Sequence, residues 1–352
     1  MRIAQFELLP RPLRAIGTLV EAAILLYGLG VTAYLVARLL TGERWAWVAF
    51  ANNFVPWWAL GALAAAALAL FSTHRWPLIA LQVPALIAFL ALYGPLILPH
   101  SLAAETGRNP GAALRVATYN TLSVRSDPAQ VVETVAALDA DLVGLQELGP
   151  RHADLFAGRL AAEYPYQALH PLLPVHGVGL LSRYPIRETE VIRLLPDSML
   201  SLRAVVEVDG APVTVLVTHP SPPRNAFSPL TYDSTRRDRE IGILLDDHLN
   251  GIAGPLIVMG DFNMTDQSDT YRAVDDRLDD AFRQAGRGMG FTYPATLKPA
   301  LRVVAGLVRI DYIWHDAHFT ALDAWPGSDG GTSDHRPVVA ELAWAGTETG
   351  DR

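Results

Sequence analysis

The sequence has no cysteine among its 352 residues. Disulfide bonds, thiolate metal sites and a cysteine nucleophile are therefore excluded. The absence does not settle the compartment, because a chain without cysteine suits an oxidising space without requiring one. Lysine is nearly absent too, since Lys298 is the only lysine among 28 basic residues. Because alanine is abundant, we interpret this shortage as genome composition and not as function.

Charged residues are scarce in the first hundred positions. The run 15–37 contains one charged residue, Glu21, and the runs 45–73 and 76–99 contain none. Each run can cross a hydrocarbon core of about 30 Å, which takes roughly 20 residues. We therefore predict an all-α transmembrane segment of about three helices within residues 1–100.

Two details of this segment leave alternatives open. Asn52, Asn53 and Pro56 interrupt the middle run, so two spans plus a re-entrant piece are the alternative to three spans. The first run is too long for a cleaved signal peptide, and no small-residue cleavage site follows it. Glu21 lies near one end of that run, so we expect an interfacial or bundle-facing carboxylate.

Arginines near the runs predict the orientation of the chain. Four lie on the side of the N-terminus and three on the other side: Arg2, Arg11, Arg14 and Arg75, against Arg38, Arg44 and Arg108. The positive-inside rule then favours a cytoplasmic N-terminus and, with three spans, an extracytoplasmic C-terminal domain.

The rest of the chain has the size of one large domain. We predict a linker at 101–111, a catalytic domain at 112–345 and a tail at 346–352. From residue 112 onward the chain has 32 acidic and 21 basic residues. No broad cationic face is expected, so binding along a nucleic-acid backbone is disfavoured.

Strand and helix signals in this domain mix hairpins with strand–helix units. Buried strands are predicted at 114–119, 141–146, 177–182, 204–208, 213–218, 255–259, 308–314 and 337–342. Residues 209–212, Asp-Gly-Ala-Pro, indicate a hairpin turn. A helix is predicted over 235–249, and its charged run 236–240 is interpreted as a solvated face. The pattern favours an α+β sandwich of two sheets flanked by helices over a doubly wound parallel sheet.

Polar residues follow the apolar strands at six places. The most informative is Gly260-Asp261-Phe262-Asn263, which comes directly after the run 255–259. The polar residues at the six places are Asn120, Glu147, His219, Asp261 with Asn263, Asp311, and Asp334 with His335. Each residue alone suits a turn or a surface position. Together they predict one site at one edge of the sandwich.

The order of these residues resembles the endonuclease/exonuclease/phosphatase superfamily, which includes deoxyribonucleases, abasic endonucleases and neutral sphingomyelinases. The resemblance spans about 114–342, and membrane-anchored bacterial members look most similar. It implies a four-layered α/β sandwich with two mostly antiparallel sheets. It also implies a Mg²⁺-dependent phosphoesterase, with Mn²⁺ as the alternative ion. The resemblance does not cover the apolar segment, and the spans predicted there indicate a protein integral to the bacterial cell membrane.

The resemblance implies a metal site around one glutamate. Glu147 would hold the metal, because a carboxylate oxygen suits a hard cation that keeps several waters. Asn120 would complete the metal shell or bind its water. Asp334 would lie near the metal or support neighbouring polar groups.

The resemblance also implies catalytic and phosphate-binding roles. Asp261 would activate the water for in-line attack, and Asn263 would bind a phosphate oxygen. His335 would donate to the phosphoryl oxygens, while Asp311 would fix its tautomer and keep it protonated. His219 would be the second imidazole on the phosphate.

Three functions follow as hypotheses. The first is a membrane-anchored phosphodiesterase acting on a lipid-derived or other small phosphodiester. The second is a tethered nuclease, and the third is a non-catalytic scaffold that retains the fold. All eight polar positions are present, which favours catalysis. Two insertions, 220–229 with Phe227 and 291–307, are interpreted as segments that shape access. No protein partner can be inferred.

Overall fold

The computed structural model describes residues 11–97, 113–295, 306–328 and 330–345. Within these ranges the chain forms two compact units. The first contains the described residues of 1–98 together with Phe227–Tyr232, and the second contains the rest. The predicted linker at 101–111, the predicted tail at 346–352 and most of the apolar part of segment 291–307 lie outside the described residues.

The N-terminal part of the first unit is helical. Its helices α1 to α5 are Arg11–Thr41, Ala46–Asn52, Val55–Ala69, Arg75–Ala80 and Val83–Ile97. Two stretches, Ala15–Thr41 and Arg75–Ile97, are long and apolar enough to cross a membrane. The pair α2 and α3 also passes this test but is bent by 78°. The unit thus offers two spans, or three if the bent pair crosses as one.

Small side chains bring these helices together. Two buried clusters show the packing: Ile24 with Ala65, Ala69 and Leu78, and Val31 with Ala62 and Ala85. Between the first cluster and the second, the residue numbers rise on α1, from Ile24 to Val31, and from α4 into α5, from Leu78 to Ala85. On α3 they fall, from Ala65 to Ala62. Helices α1 and α5 therefore run in the same direction and α3 runs against them, so α1 and α5 end on the same side of the bundle.

Three polar side chains of this unit, Tyr34, Asn52 and Glu21, form hydrogen bonds within it. The hydroxyl of Tyr34 donates to Oδ1 of Asn52, and Nδ2 of Asn52 donates to Glu43, at 2.6 and 2.7 Å. The carboxylate of Glu21 accepts from the hydroxyl of Ser72. Glu21 therefore faces its neighbours in the bundle, which is one of the two positions that the sequence predicts.

In its described residues, the second unit contains twelve strands in two sheets. The strands β1 to β12 are Leu114–Asn120, Leu142–Gln146, Tyr166–His170, Val178–Ser182, Ile186–Arg193, Leu200–Val208, Ala211–Thr218, Leu256–Asp261, Asp279–Asp280, Asp311–His315, Phe319–Pro326 and Val338–Trp344. One sheet has the order β11-β12-β1-β2-β4-β3, and the other has the order β5-β6-β7-β8-β10-β9. Among the described strands, the first sheet contains one parallel strand pair, β1–β2, and the second sheet contains one, β7–β8. The other neighbouring strands are antiparallel.

Helices cover the outer face of each sheet. The helices α6 to α10 are Pro128–Ala137, Pro150–Arg159, Thr235–Ile243, Asp269–Asp275 and Ala281–Ala285. Helices α6 and α7 share a buried core with β1 and β2, and α8 and α9 share another with β8 and β10. This confirms the predicted sandwich of two mostly antiparallel sheets flanked by helices. The hairpin between β6 and β7 is confirmed as well, with Asp209 and Gly210 both at positive φ, as a tight hairpin turn requires.

Two glycines allow the backbones to come close near the site. A Cβ on Gly144 of β2 would lie 2.5 Å from the sulfur of Met259 on β8. A Cβ on Gly260 would collide with the carbonyl oxygen of Thr218 on the neighbouring strand β7. The sheets therefore meet closely at the point where β2, β7 and β8 end.

Candidate active site

The strand register delivers the predicted residues to one edge. Strands β1 and β2 are parallel, so Asn120 and Glu147 leave the first sheet together. Strands β7 and β8 are also parallel, which brings His219 beside Asp261. Strand β10 runs against β8, and Asp311 lies directly opposite Asp261.

The carboxylate of Asp261 is the centre of the site. Its Oδ2 accepts a hydrogen bond from Nδ2 of Asn120 at 3.0 Å and lies 3.3 Å from Nε2 of His219. Nε2 of His335 approaches the same oxygen at 3.6 Å. Burial raises the pKa of Asp261, but the two imidazoles outweigh it and lower the pKa overall. Asp261 is therefore a buried carboxylate that stays ionised.

His335 is held by a second carboxylate. Its Nδ1 lies 3.0 Å from Oδ2 of Asp311, and both side chains are buried. Burial alone would lower the pKa of His335, but Asp311 and Asp261 raise it to about 10. The ring therefore carries a proton on Nε2, the nitrogen that faces Asp261, throughout the neutral range.

His219 and Asn263 lie on linked loops. His219 is buried, and its Nδ1 has no hydrogen-bond partner among the described residues. Nδ2 of Asn263 donates to the carbonyl oxygen of Pro220, the residue after His219, at 3.0 Å. The backbone N–H of Asn263 donates to Oδ1 of Asp261 at 2.9 Å. The loops after β7 and β8 are thereby held in one arrangement.

Glu147 presents an oxygen that fits a cation. Its backbone is left-handed, with φ of 53°, a conformation that few non-glycine residues adopt. Oε1 accepts a hydrogen bond from Nδ2 of Asn120 at 3.1 Å. Oε2 is buried and has no hydrogen-bond partner in the part of the chain that the structure describes. Burial raises the pKa of this carboxyl, a cost that a bound cation would remove.

Other carboxylates add to the donor set. Oδ1 of Asp334 is also buried without a hydrogen-bond partner among the described residues, and it lies 3.9 Å from Nε2 of His335. Asp261, Asp311 and His335 offer ligand atoms within 4.8 Å of one another. These three already pair with one another, whereas Glu147 and Asp334 each keep a buried oxygen without a hydrogen-bond partner among the described residues. Carboxylate oxygens of both kinds could hold a hard divalent cation.

Ser333 holds two segments of the site together. Its hydroxyl donates to the carbonyl oxygen of Asn120 at 2.7 Å and accepts from the backbone N–H of His335 at 3.1 Å. The hydroxyl is therefore engaged in fixing the turn before β12.

The solvated face predicted at 236–240 is wrong for two of its residues. Arg237 and Glu240 are buried, whereas Arg239 is exposed. Both buried residues lie one helical turn before apolar residues of α8 and its continuation, Ile241 and Leu244. This i, i+4 spacing could have predicted that Arg237 and Glu240 lie on the buried face of the helix. Their charges favoured the prediction of a solvated face instead.

The two buried charges hold the loops of the site. Nη1 of Arg237 donates to the backbone carbonyl of Asn263 at 2.8 Å. The carboxylate of Glu240 accepts from the backbone N–H and hydroxyl of Ser221, at 2.6 and 2.9 Å. It also accepts from the hydroxyl of Ser198 at 2.6 Å. Helix α8 therefore anchors the loops that carry His219 and Asn263.

The comparisons with known proteins agree with this geometry. The Endonuclease/Exonuclease/phosphatase family matches residues 117–335, and the chain belongs to this family. Because members of the family hydrolyse phosphate esters, the chain is a phosphate-ester hydrolase. A search of curated proteins finds no match.

Solved structures show the same fold. An endonuclease/exonuclease/phosphatase from Beutenbergia cavernae is 24% identical over 67% of this chain and 72% of its own, with a TM-score of 0.54. A humanised D. rerio TDP2 is 20% identical over 66% and 99%, with a TM-score of 0.53. An endonuclease/exonuclease/phosphatase from Bacteroides vulgatus is 20% identical over 66% and 100%, with a TM-score of 0.52.

The anchoring by Glu240 can be tested with an isosteric variant. Glu240→Gln places an amide N–H among groups that donate to the carboxylate, so we expect the free energy of unfolding to fall by about 1–3 kcal/mol. Arg239→Gln, its exposed neighbour, is the control and should stay within about 0.5 kcal/mol of the wild type. Chemical denaturation followed by near-ultraviolet circular dichroism measures both. Equal stability of the two variants would contradict the anchoring role.

The pairing of Asp311 with His335 predicts a pH dependence. A protonated His335 is present below its raised pKa and is lost as the pH rises through about 10. Asp311→Asn removes the charge that raises this pKa, so the alkaline loss of turnover should move to lower pH. Turnover of bis(p-nitrophenyl) phosphate between pH 6 and 10 would measure the shift, with the exposed Asp154→Asn as control. An alkaline limb at the same pH in both variants would exclude this role for Asp311.

Proposed function

We propose that the protein is a membrane-anchored, metal-dependent phosphodiesterase that acts on a lipid-derived or other small phosphodiester. The observation that carries this proposal is the surrounding of Asp261, whose Oδ2 meets Asn120, His219 and His335 within 3.6 Å. An ionised carboxylate between two imidazoles can orient and deprotonate a water while the imidazoles face the phosphate.

The chain's own residues supply the remaining roles. Protonated His335 donates from Nε2 to a phosphoryl oxygen, and Asp311 holds the ring in place through Nδ1. His219 is the second imidazole on the phosphate. Asn263 donates one amide N–H to the carbonyl oxygen of Pro220, and its second amide N–H can donate to a phosphate oxygen. These donors favour the transition state because charge builds on the phosphoryl oxygens there.

Glu147, Asn120 and Asp334 would hold the metal, which we propose to be Mg²⁺, with Mn²⁺ as the alternative. Buried carboxylate oxygens without hydrogen-bond partners among the described residues support this assignment at Glu147 and Asp334. Oδ1 of Asn120 accepts from the N–H of Leu122 and has a second lone pair for a ligand. A bound divalent ion supplies charge neutralisation for an anionic substrate.

The charge of the domain supports a small or lipid-derived substrate. Between residues 112 and 352 the chain has 32 acidic and 21 basic residues. Binding along a nucleic-acid backbone depends on neutralising many phosphates, which this composition disfavours. A nuclease is the second candidate, because a D. rerio TDP2 of the same fold is described as complexed with a single-strand DNA product.

The N-terminal helices support anchoring in a bacterial cell membrane. Two stretches are long and apolar enough to cross, and the bent pair could be a third span. With three spans, the arginine distribution favours a catalytic domain outside the cytoplasm.

The catalytic assignment predicts a large loss of turnover at Asp261. Asp261→Asn keeps the shape of the side chain but removes the base, so turnover should fall by about a thousandfold. The full-length chain in detergent is incubated with Mg²⁺, or with chelator, against phospholipid vesicles and supercoiled plasmid. Asp154→Asn, an exposed change of the same kind, is the control, and circular dichroism verifies folding.

Each outcome of that assay distinguishes between the candidates. Mg²⁺-dependent release of head groups with intact plasmid supports the proposed function. Nicking of the plasmid without head-group release supports the nuclease instead. Wild-type turnover by Asp261→Asn would exclude the assigned base.

The orientation predicts the behaviour of a reporter fused after Arg352. Alkaline phosphatase is active only outside the cytoplasm, so we expect an active fusion there. A green fluorescent protein fusion at the same position is the matched control and should be dark after export. A fluorescent fusion together with inactive phosphatase would contradict the proposed orientation.

A further inference from the structure

The loop after His219 has an apolar tip. Two of its side chains are exposed to an unusual degree for their type, with Phe227 at 88% and Leu230 at 80% of full exposure. Residues 225–232 include no charged side chain. A single exposed apolar residue needs no explanation, but two on an uncharged loop tip do.

The base of this loop is fixed to the second unit. Ser221 is held by Glu240 at 2.6 Å through its N–H. The backbones of Arg224 and Asp233 exchange two hydrogen bonds, of 2.8 and 3.1 Å, which close the loop. The base of the loop, which begins two residues after His219, is therefore closed within the second unit.

The tip belongs to the unit that contains the apolar helices. Phe227–Tyr232 forms one compact unit with those helices. Within it, the ring of Tyr232 lies edge-on to Phe50 of α2, with 6.1 Å between ring centroids. Helix α2 follows the end of α1, and Trp45 beside it is 58% exposed. Aromatic side chains at the end of apolar helices are typical of the interface between lipid and water.

We propose that this tip contacts the lipid bilayer, with Phe227 and Leu230 inserted among the lipids, and that this contact serves the hydrolysis of lipid phosphodiesters. The inference rests on the proposed phosphodiesterase function and on membrane anchoring, and it commits the substrate to a lipid head group. A bilayer suits the tip because the tip belongs to the same compact unit as helices that can cross a bilayer. The lack of charged side chains over 225–232 also favours a bilayer as the partner, since charged side chains would oppose insertion.

The absence of cysteine allows a direct test of the contact. Single variants Phe227→Cys and Leu230→Cys of the full chain are spin-labelled and reconstituted in vesicles of phosphatidylethanolamine and phosphatidylglycerol. We expect both labels to be more accessible to oxygen than to a water-soluble nickel chelate. Thr189→Cys, on the exposed strand β5, is the control and should show the reverse. Labels at 227 and 230 that behave like the control would overturn the proposal.

A second test asks whether the contact serves lipid turnover. The double variant Phe227→Ser with Leu230→Ser should lose about tenfold in head-group release from vesicles, because two apolar side chains no longer enter the bilayer. Its turnover of soluble bis(p-nitrophenyl) phosphate should equal that of the wild type. Leu322→Ser, an exposed apolar residue of β11, is the control and should change neither rate.

The two tests separate the failures. An equal loss of turnover on both substrates would mean that the tip only supports the structure of the site. Unchanged lipid turnover would mean that the contact does not serve lipid hydrolysis. Both results overturn the proposal. If the wild type hydrolyses neither substrate, the phosphodiesterase function fails, and the spin-label accessibilities still decide whether the tip meets the bilayer.

Discussion

The buried carboxylate of Asp261 is the interaction on which the site depends. An ionised group with 1% exposure is stable only when neighbouring donors compensate for the lost water. Its donors come from different parts of the fold, because Asn120 ends a strand of one sheet, His219 follows a strand of the other, and His335 precedes β12. The same carboxylate therefore assembles the site and links the two sheets.

This dependence explains why the backbone is so constrained nearby. Gly260 precedes Asp261 and leaves room for the carbonyl oxygen of Thr218, and Gly144 leaves room for Met259 between the sheets. Glu147 and Asn263 both adopt left-handed backbones as they leave their strands. Strain at these positions is compensated by the packing of the sheets, which in return holds polar side chains close together. The anchoring of the loops by α8 serves the same end.

The sequence predicted the centre of the fold better than its edges. The central strands β2 and β8 were found because they are buried along their whole length and consist mostly of apolar residues. Strand β5, Ile186–Arg193, was missed because it is an exposed edge strand with charged residues at half of its positions, which protects an edge from pairing with other chains. The site residues were found through their place after apolar strands. Arg237 and Glu240 were not, because charged residues on a helix are usually solvated.

The acidic character of the domain and an anionic substrate are compatible on physical grounds. The imidazoles of His219 and His335 act within a few ångströms, where burial makes charge effective, whereas the net charge of the surface acts through salt and water. Steering over long distances would not favour an anion here. A membrane anchor would remove the need for it, because a tethered enzyme meets its substrate at a high effective concentration. Local neutralisation, together with the proposed anchoring, would therefore account for a phosphoesterase whose catalytic domain carries a net negative charge.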